Sequence, residues 1–151
     1  RRVLFRSDIL RHHLAEGGLI ILGHFDLKQD QRLSQLLAPD HPVKDMKIFK
    51  RFQKLEEDYF SDGTWFCPED FLSENSSWEA HHQQQTFRIQ KRLREEQILS
   101  WLKPSAPLGA MIYETSGEDT RSEVTDLLTE HLAGNHEWVR HFCLSIFKPK
   151  R

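Results

Sequence analysis

Cysteine is nearly absent. The two that occur in 151 residues, Cys67 and Cys143, are far apart and neither belongs to a Cys-x-x-Cys pair. That excludes a disulfide framework and a thiolate zinc site, and makes a reducing, cytoplasmic setting the expectation. An excess of one charge is missing too. Lys and Arg number 21 against 23 Asp and Glu, a formal charge of −2, so global basicity gives no argument for nucleic acid. Long apolar runs do not occur: the longest aliphatic run is Leu19-Ile20-Ile21-Leu22, whereas a helix across a bilayer needs about 20 residues. No membrane is expected among the partners. The seven glycines form neither Gly-x-Gly-x-x-Gly nor Gly-x-x-x-x-Gly-Lys-Ser/Thr, so no loop is built to cradle nucleotide phosphates. There is also no His-Glu-x-x-His, internal repeat, low-complexity stretch or linker.

What is present suits one packed domain. Ten Phe and four Trp, with 38% hydrophobic residues overall, supply enough apolar volume for a core in a chain of this length. Arg1-Arg2-Val3-Leu4-Phe5-Arg6-Ser7 looks like the in-frame translation of a short-read sequencing adapter, and residues 1–7 are set aside as a non-native, adapter-derived segment. The competing reading of those residues is a basic arm or a helix end. Setting them aside removes three arginines and no acid, moving the formal charge from −2 to −5. On the adapter reading, residues 8–151 are a C-terminal fragment and the N-terminal half of the same chain is its missing partner.

Periodicity along the rest alternates between helix and strand. Ile9, Leu10, His13 and Leu14 fit the last turns of a helix that Gly17-Gly18 stops. Leu19-Ile20-Ile21-Leu22 has no polar alternation and lies between glycines, the pattern of a central strand buried on both faces of a parallel sheet. Leu33, Leu36 and Leu37 mark a short helix ending near Pro39. After Pro42, Val43, Met46, Phe49, Phe52, Leu55 and Tyr59 recur at three- and four-residue spacing, a longer amphipathic helix that Asp62-Gly63 ends. Pro68-Glu69-Asp70 opens another short helix. From Trp78 to Leu93, the alternation of Gln85, Phe87 and Ile89 with Thr86, Arg88 and Gln90 suggests a strand with one wet face. Residues 95–102 read as a helix ended by Pro104. Thr120-Arg121-Ser122-Glu123 has the form of a capping box, opening a helix with Val124, Leu127, Leu128 and His131 or Leu132 on its buried stripe, stopped by Gly134. Residues 138–147 are rich in aromatic and aliphatic side chains and read as a last strand.

Several residues have the chemistry of a site, each with a plainer structural role beside it. His24 and Asp26 follow the aliphatic strand, where open α/β sheets place ligands, so they are candidates for acid/base or substrate-orienting work. The plainer role is to cap the strand and begin the next turn. Glu56, Glu57 and Asp58, next to Tyr59, are candidates to line a substrate pocket in which a carboxylate accepts a proton. As ordinary structure, the acids are a solvated helix end. His12-His13 and His81-His82 are adjacent pairs, which point to different sides of an element and do not suit a metal. No metal site is expected. Cys67 and Cys143 read as inert, buried thiols. Trp65, Phe66 and Trp78 with Arg88, Lys91, Arg92 and Arg94 have the composition of a surface for single-stranded nucleic acid, and equally that of core aromatics beside a charged strand end.

His12-His13-Leu14-Ala15-Glu16-Gly17-Gly18-Leu19-Ile20-Ile21-Leu22-Gly23-His24 resembles the stretch of class I S-adenosylmethionine methyltransferases in which a helix ends in Leu-x-x-Gly-Gly and leads into the fifth strand of the sheet. More narrowly, Gln31-Arg32-Leu33-Ser34-Gln35-Leu36-Leu37, Leu55-Glu56-Glu57-Asp58-Tyr59, Trp65, Asp70-Phe71, Arg88-Ile89, Trp101-Leu102 and Trp138 resemble the methyltransferase-like domain fused to some bacterial RarA (MgsA) AAA+ recombination ATPases. The resemblance covers residues 8–148. It implies an α/β fold, the C-terminal portion of a Rossmann-like methyltransferase sheet, with a central strand, a helical insertion and a terminal antiparallel strand beside the first. It also implies that the glycine-rich loop, the acidic residue for the ribose and the adenine contacts precede this chain. No cofactor is therefore expected here, although S-adenosylmethionine is expected for the intact domain, and any DNA association is expected through a fused ATPase. The two functions implied are the substrate side of a methyltransferase and a non-catalytic interaction module of a replication or recombination ATPase.

Overall fold

The computed structural model describes residues 11–61, 68–81 and 85–150. The adapter-like segment 1–7, Ile9, Leu10, the stop at Asp62-Gly63, Trp65, Phe66, Cys67 and His82 lie outside them. The described chain is a mixture of helix and strand with an antiparallel sheet. Its strands are β1 (Ile20–Phe25), β2 (Trp78–Ala80), β3 (Gln85–Arg94) and β4 (Asn135–Pro149), and its α-helices are α1 (Lys47–Ser61), α2 (Pro68–Glu74), α3 (Glu95–Leu99) and α4 (Pro107–His131). Short 3-10 helices occupy Leu33–Leu36, Pro42–Asp45 and Ser100–Leu102. Among the described residues, no helix is long and apolar enough to cross a membrane.

The chain divides into two compact units, one of Arg1–Asp30, Asp62–Ile89 and Arg140–Arg151, the other of Gln31–Ser61 and Gln90–Val139. In the first unit, residues 11–13 end a helix and Gly17, at φ +74°, turns the chain toward β1. A left-handed backbone at that position is what glycine supplies without steric cost. β1 pairs antiparallel with β4 in the register Ile20↔Phe147 through Phe25↔Phe142. β2 lies on the other side of β4, also antiparallel, with Trp78 opposite Pro149 and Ala80 opposite Phe147, and β3 pairs with β4 as well.

β1 corrects the expectation of a central strand covered on both faces. Its exposure alternates, and β4 is its pairing partner among the described residues. Successive strand residues point to opposite faces, so Ile20 and Leu22 face inward, where they pack with Leu14 and Leu72 on the buried Phe71, Trp78 and Phe147. Ile21 and Phe25 face outward, and Ile21 is 59% exposed. Unbroken hydrophobicity in the sequence thus marks a strand with an open apolar face. Where one strand is expected from Trp78 to Leu93 there are two, β2 and β3, and β3 departs from the one-wet-face pattern: most of its residues on both faces are exposed, Phe87 among them.

The second unit is built on the α1 stripe. Val43, Phe49, Phe52 and Leu55 are buried with Leu33, Leu37, Ile98, Leu102, Ile112, Val124, Leu128, Leu132 and Trp138. Full burial of such side chains contributes about 1.5–3 kcal/mol each, and this is the larger core. Met46, assigned to the same stripe by its spacing, is exposed instead. It sits where the 3-10 helix Pro42–Asp45 gives way to α1, with an extended backbone (φ −72°, ψ 141°) that breaks the helical period.

The capping box at Thr120 is corrected too. α4 begins at Pro107, and Thr120 is a buried residue inside it. The break in α4 falls at Gly117, with φ +87° and ψ 169°, a conformation essentially confined to glycine. The second segment therefore starts nearer that glycine than Thr120, while Val124, Leu127 and Leu128 of its expected stripe are buried and, of the alternatives His131 and Leu132, it is Leu132 that is buried.

Candidate functional site

The residues with most chemistry in the first unit stand at the carboxyl end of β1. His24 is on the inward face, directly opposite Cys143. Its Nε2 lies 2.9 Å from the hydroxyl of Ser145, which is itself buried. Burial lowers the His24 pKa from the ordinary 6.5, because an imidazolium loses solvation there, although a backbone hydrogen bond at Phe25 and the charges of Asp26 and Glu69 pull the other way. His24 is thus held neutral near pH 7, with a ring nitrogen already in a hydrogen bond. A neutral imidazole in that state can accept a proton from a nucleophile.

Asp26 is employed locally. Its backbone N–H donates to the carbonyl of His141, continuing the β1–β4 ladder by one residue. Its carboxylate accepts from the Lys28 N–H at 3.2 Å and from the Gln29 side-chain amide at 2.7 Å, an Asx-type closure of the turn that leaves the strand. That turn delivers Asp30, whose buried carboxylate accepts from Arg140 Nε at 2.8 Å and from the His141 N–H at 3.0 Å. The Arg140 guanidinium in turn lies 3.5 Å from the centroid of the Phe25 ring. Phe25 meets Phe142 edge-to-face at 5.4 Å. The Phe142 ring leans over Gly23, where an added Cβ would come within 2.6 Å of its Cζ, so the glycine is what lets the ring lie against β1.

Glu57 and Tyr59 belong to the second unit, on α1. Glu57 is exposed and stands 3.5 Å from Arg32 Nε. Tyr59 is half-buried against the larger core and edge-on to Phe60 at 5.1 Å. The neighbouring acid behaves differently from both. Glu56 is buried, and its carboxylate accepts from the Leu33 N–H at 2.8 Å, the Ser34 N–H at 3.4 Å and the Ser34 hydroxyl at 2.6 Å. Burial raises its pKa above the ordinary 4.5, outweighing those three bonds and the charge of Arg32. Reading residues 56–58 together as a solvated helix end is therefore right for Glu57 and for Asp58, which pairs with Lys54 on the surface, and wrong for Glu56.

What sequence reasoning missed is Asp30, Arg140 and Ser145, and the buried structural role of Glu56. Each acquires its role from a partner more than twenty positions away, so local spacing holds no sign of the first three. Cys143 is half-buried rather than core, with its Sγ 3.7 Å from the Thr86 hydroxyl. His12 and His13 are both exposed. Among the described residues, no group of three or more His, Cys, Asp or Glu is arranged to hold a metal ion. The chain matches no protein-family model and no curated protein.

Proposed function

We propose that the chain is the C-terminal, substrate-side portion of a class I S-adenosylmethionine methyltransferase-like domain, of the kind carried by RarA-type AAA+ ATPases. One observation carries this reading: the last strand, β4, pairs antiparallel beside β1. That pairing is what the resemblance implies for the end of such a sheet.

Among the described residues, the positive-φ glycines Gly17, Gly117 and Gly134 stand at helix ends or a helix break, and none forms a loop between a strand and a helix that would fit S-adenosylmethionine. No step is routed through the cofactor here. The contribution assigned to this portion is a proton acceptor: neutral His24, oriented by Ser145 at the carboxyl end of β1, takes a proton from a bound nucleophile. Calorimetric titration of the chain with S-adenosylmethionine gives no saturable heat on this reading, and the gene upstream of Asp8 encodes a glycine-rich loop. Saturable binding by the chain alone overturns it.

A second reading, a non-catalytic interaction module of the same ATPase, is favoured by the local employment of Asp26 in its turn and by the pairing of Glu57 with Arg32. An upstream sequence whose glycine-rich loop has decayed decides for the module.

A further inference from the structure

The outward face of the β1–β4 pair carries two features that the reading above does not use. The first is apolar. Opposed residues of an antiparallel pair share a face, so Ile21, Phe25, Phe142 and Leu144 lie together. Phe87 adjoins them, because Thr86 contacts Cys143 on the inward side and the next residue of a strand points the other way. Ile21, Phe25 and Phe87 are 59%, 37% and 48% exposed. From Phe25 to Ile21 the open face runs four strand residues, about 13 Å at the usual rise per residue.

The second feature is a single cation fixed at one end of that face. Arg140 is anchored twice, by its Nε on the buried carboxylate of Asp30 and by its flat side on Phe25. A purely structural pairing of arginine with carboxylate gains most when both prongs of the fork engage. Here only Nε does. The two terminal nitrogens make no hydrogen bond among the described residues, and the side chain is 36% exposed. An arginine held this way has already lost the rotamer freedom that binding would otherwise cost.

We propose that Arg140 is the receptor for an oxyanion, a carboxylate or phosphate with an apolar body, and that the body lies along Phe25, Phe142 and Leu144 toward Ile21. The charge selects the anion, and the length of the face selects an extended apolar tail over a compact ion. The site is independent of the methyltransferase reading, since it uses neither His24 nor any cofactor residue.

Titration of the 151-residue chain with octanoate and octyl phosphate, with acetate and inorganic phosphate as tail-free controls, tests this through the NMR resonance of the Arg140 Nε–H. The expected result is a saturable shift of that resonance, with at least tenfold tighter binding for the octyl ligands. The headgroup that binds more tightly identifies the oxyanion. Arg140→Lys keeps a cation beside Asp30 and loses the fork, so binding weakens at least tenfold. Ile21→Ser, at an exposed position, weakens the octyl ligands severalfold and leaves acetate and phosphate unchanged. No saturable shift at Arg140, equal affinity with and without the tail, or unchanged binding by Arg140→Lys overturns the proposal.

Discussion

Replacing Glu56 tests the larger unit at its most consequential polar contact. The carboxylate is buried, and it is the acceptor for two backbone N–H groups and one hydroxyl at the start of the 3-10 helix Leu33–Leu36. Glu56→Ala leaves those donors facing a void. Each unsatisfied buried group costs about 1–3 kcal/mol. The Ser34 hydroxyl can rotate, so the firm part of the loss is the two backbone groups, and about 3–5 kcal/mol is expected once the cavity is included. With an m-value of about 1–3 kcal/mol/M in urea, that moves the unfolding midpoint down by at least about 1 M. The pH dependence has a definite sign. Because the folded-state pKa lies above the ordinary 4.5, the folded chain holds this proton over a range in which the unfolded chain has released it. The glutamate's contribution to stability is therefore largest below 4.5 and falls as pH rises through the raised folded value, then levels off. Urea unfolding across that range, in the wild type and in Glu56→Gln, isolates it, since the amide cannot titrate. A loss below 1 kcal/mol for Glu56→Ala, or parallel pH profiles for the wild type and Glu56→Gln, would refute the reasoning.

Gly109→Ala is expected to lower the melting temperature by several degrees, because a Cβ there drives into the carbonyl oxygens of Leu102 and Lys103, which are backbone and cannot rotate away. Gly117→Ala is expected to cost about 1–3 kcal/mol, from φ +87° alone, since the space around it is open. His24 has a lowered pKa, so its contribution to stability is complete above the unfolded value of about 6.5 and is lost as pH falls through the folded value. An NMR titration of its ring that gives a midpoint at or above 6.5 contradicts this, and Ser145→Ala is expected to change the ring's tautomer balance by removing its partner. Ile21→Lys is expected to leave the unfolding free energy within about 0.5 kcal/mol, as exposed positions do, while reducing concentration-dependent association measured by sedimentation.

Periodicity read the second unit better than the first. The α1 stripe depends on helical spacing within one element, so Phe49, Phe52 and Leu55 could be assigned inward from their positions alone. β1 could not be placed as well. Four aliphatic residues in a row are compatible with a strand covered on both faces and with a strand left open on one, because hydrophobicity reports what a residue would bury and not what is present to bury it. The antiparallel pairing with β4 followed from the resemblance. The exposure of Ile21 was visible only in the structure. The Thr120 capping box failed for another reason: its residue types were right, but a glycine three positions earlier takes a backbone conformation open to almost nothing else, and that glycine breaks the helix.

The candidate residues divide along the same line. His24 was legible because a histidine just beyond an aliphatic run is conspicuous, whereas Asp30 and Arg140 are separated by 110 positions and have no shared pattern. Glu56 is the instructive case, since its signal was present and outweighed by its neighbours. Counting from Phe49 and Phe52, steps of seven and four lead to position 56, so this glutamate stands in register with the buried stripe while Glu57 and Asp58 fall outside it. A carboxylate in such a register must either break the stripe or find donors inside, because an unpaired buried acid costs several kcal/mol. The second outcome is realised, with the donors at Leu33 and Ser34. Grouping the three acids by adjacency concealed this; grouping them by helical face separates the one that organises the core from the two that face water.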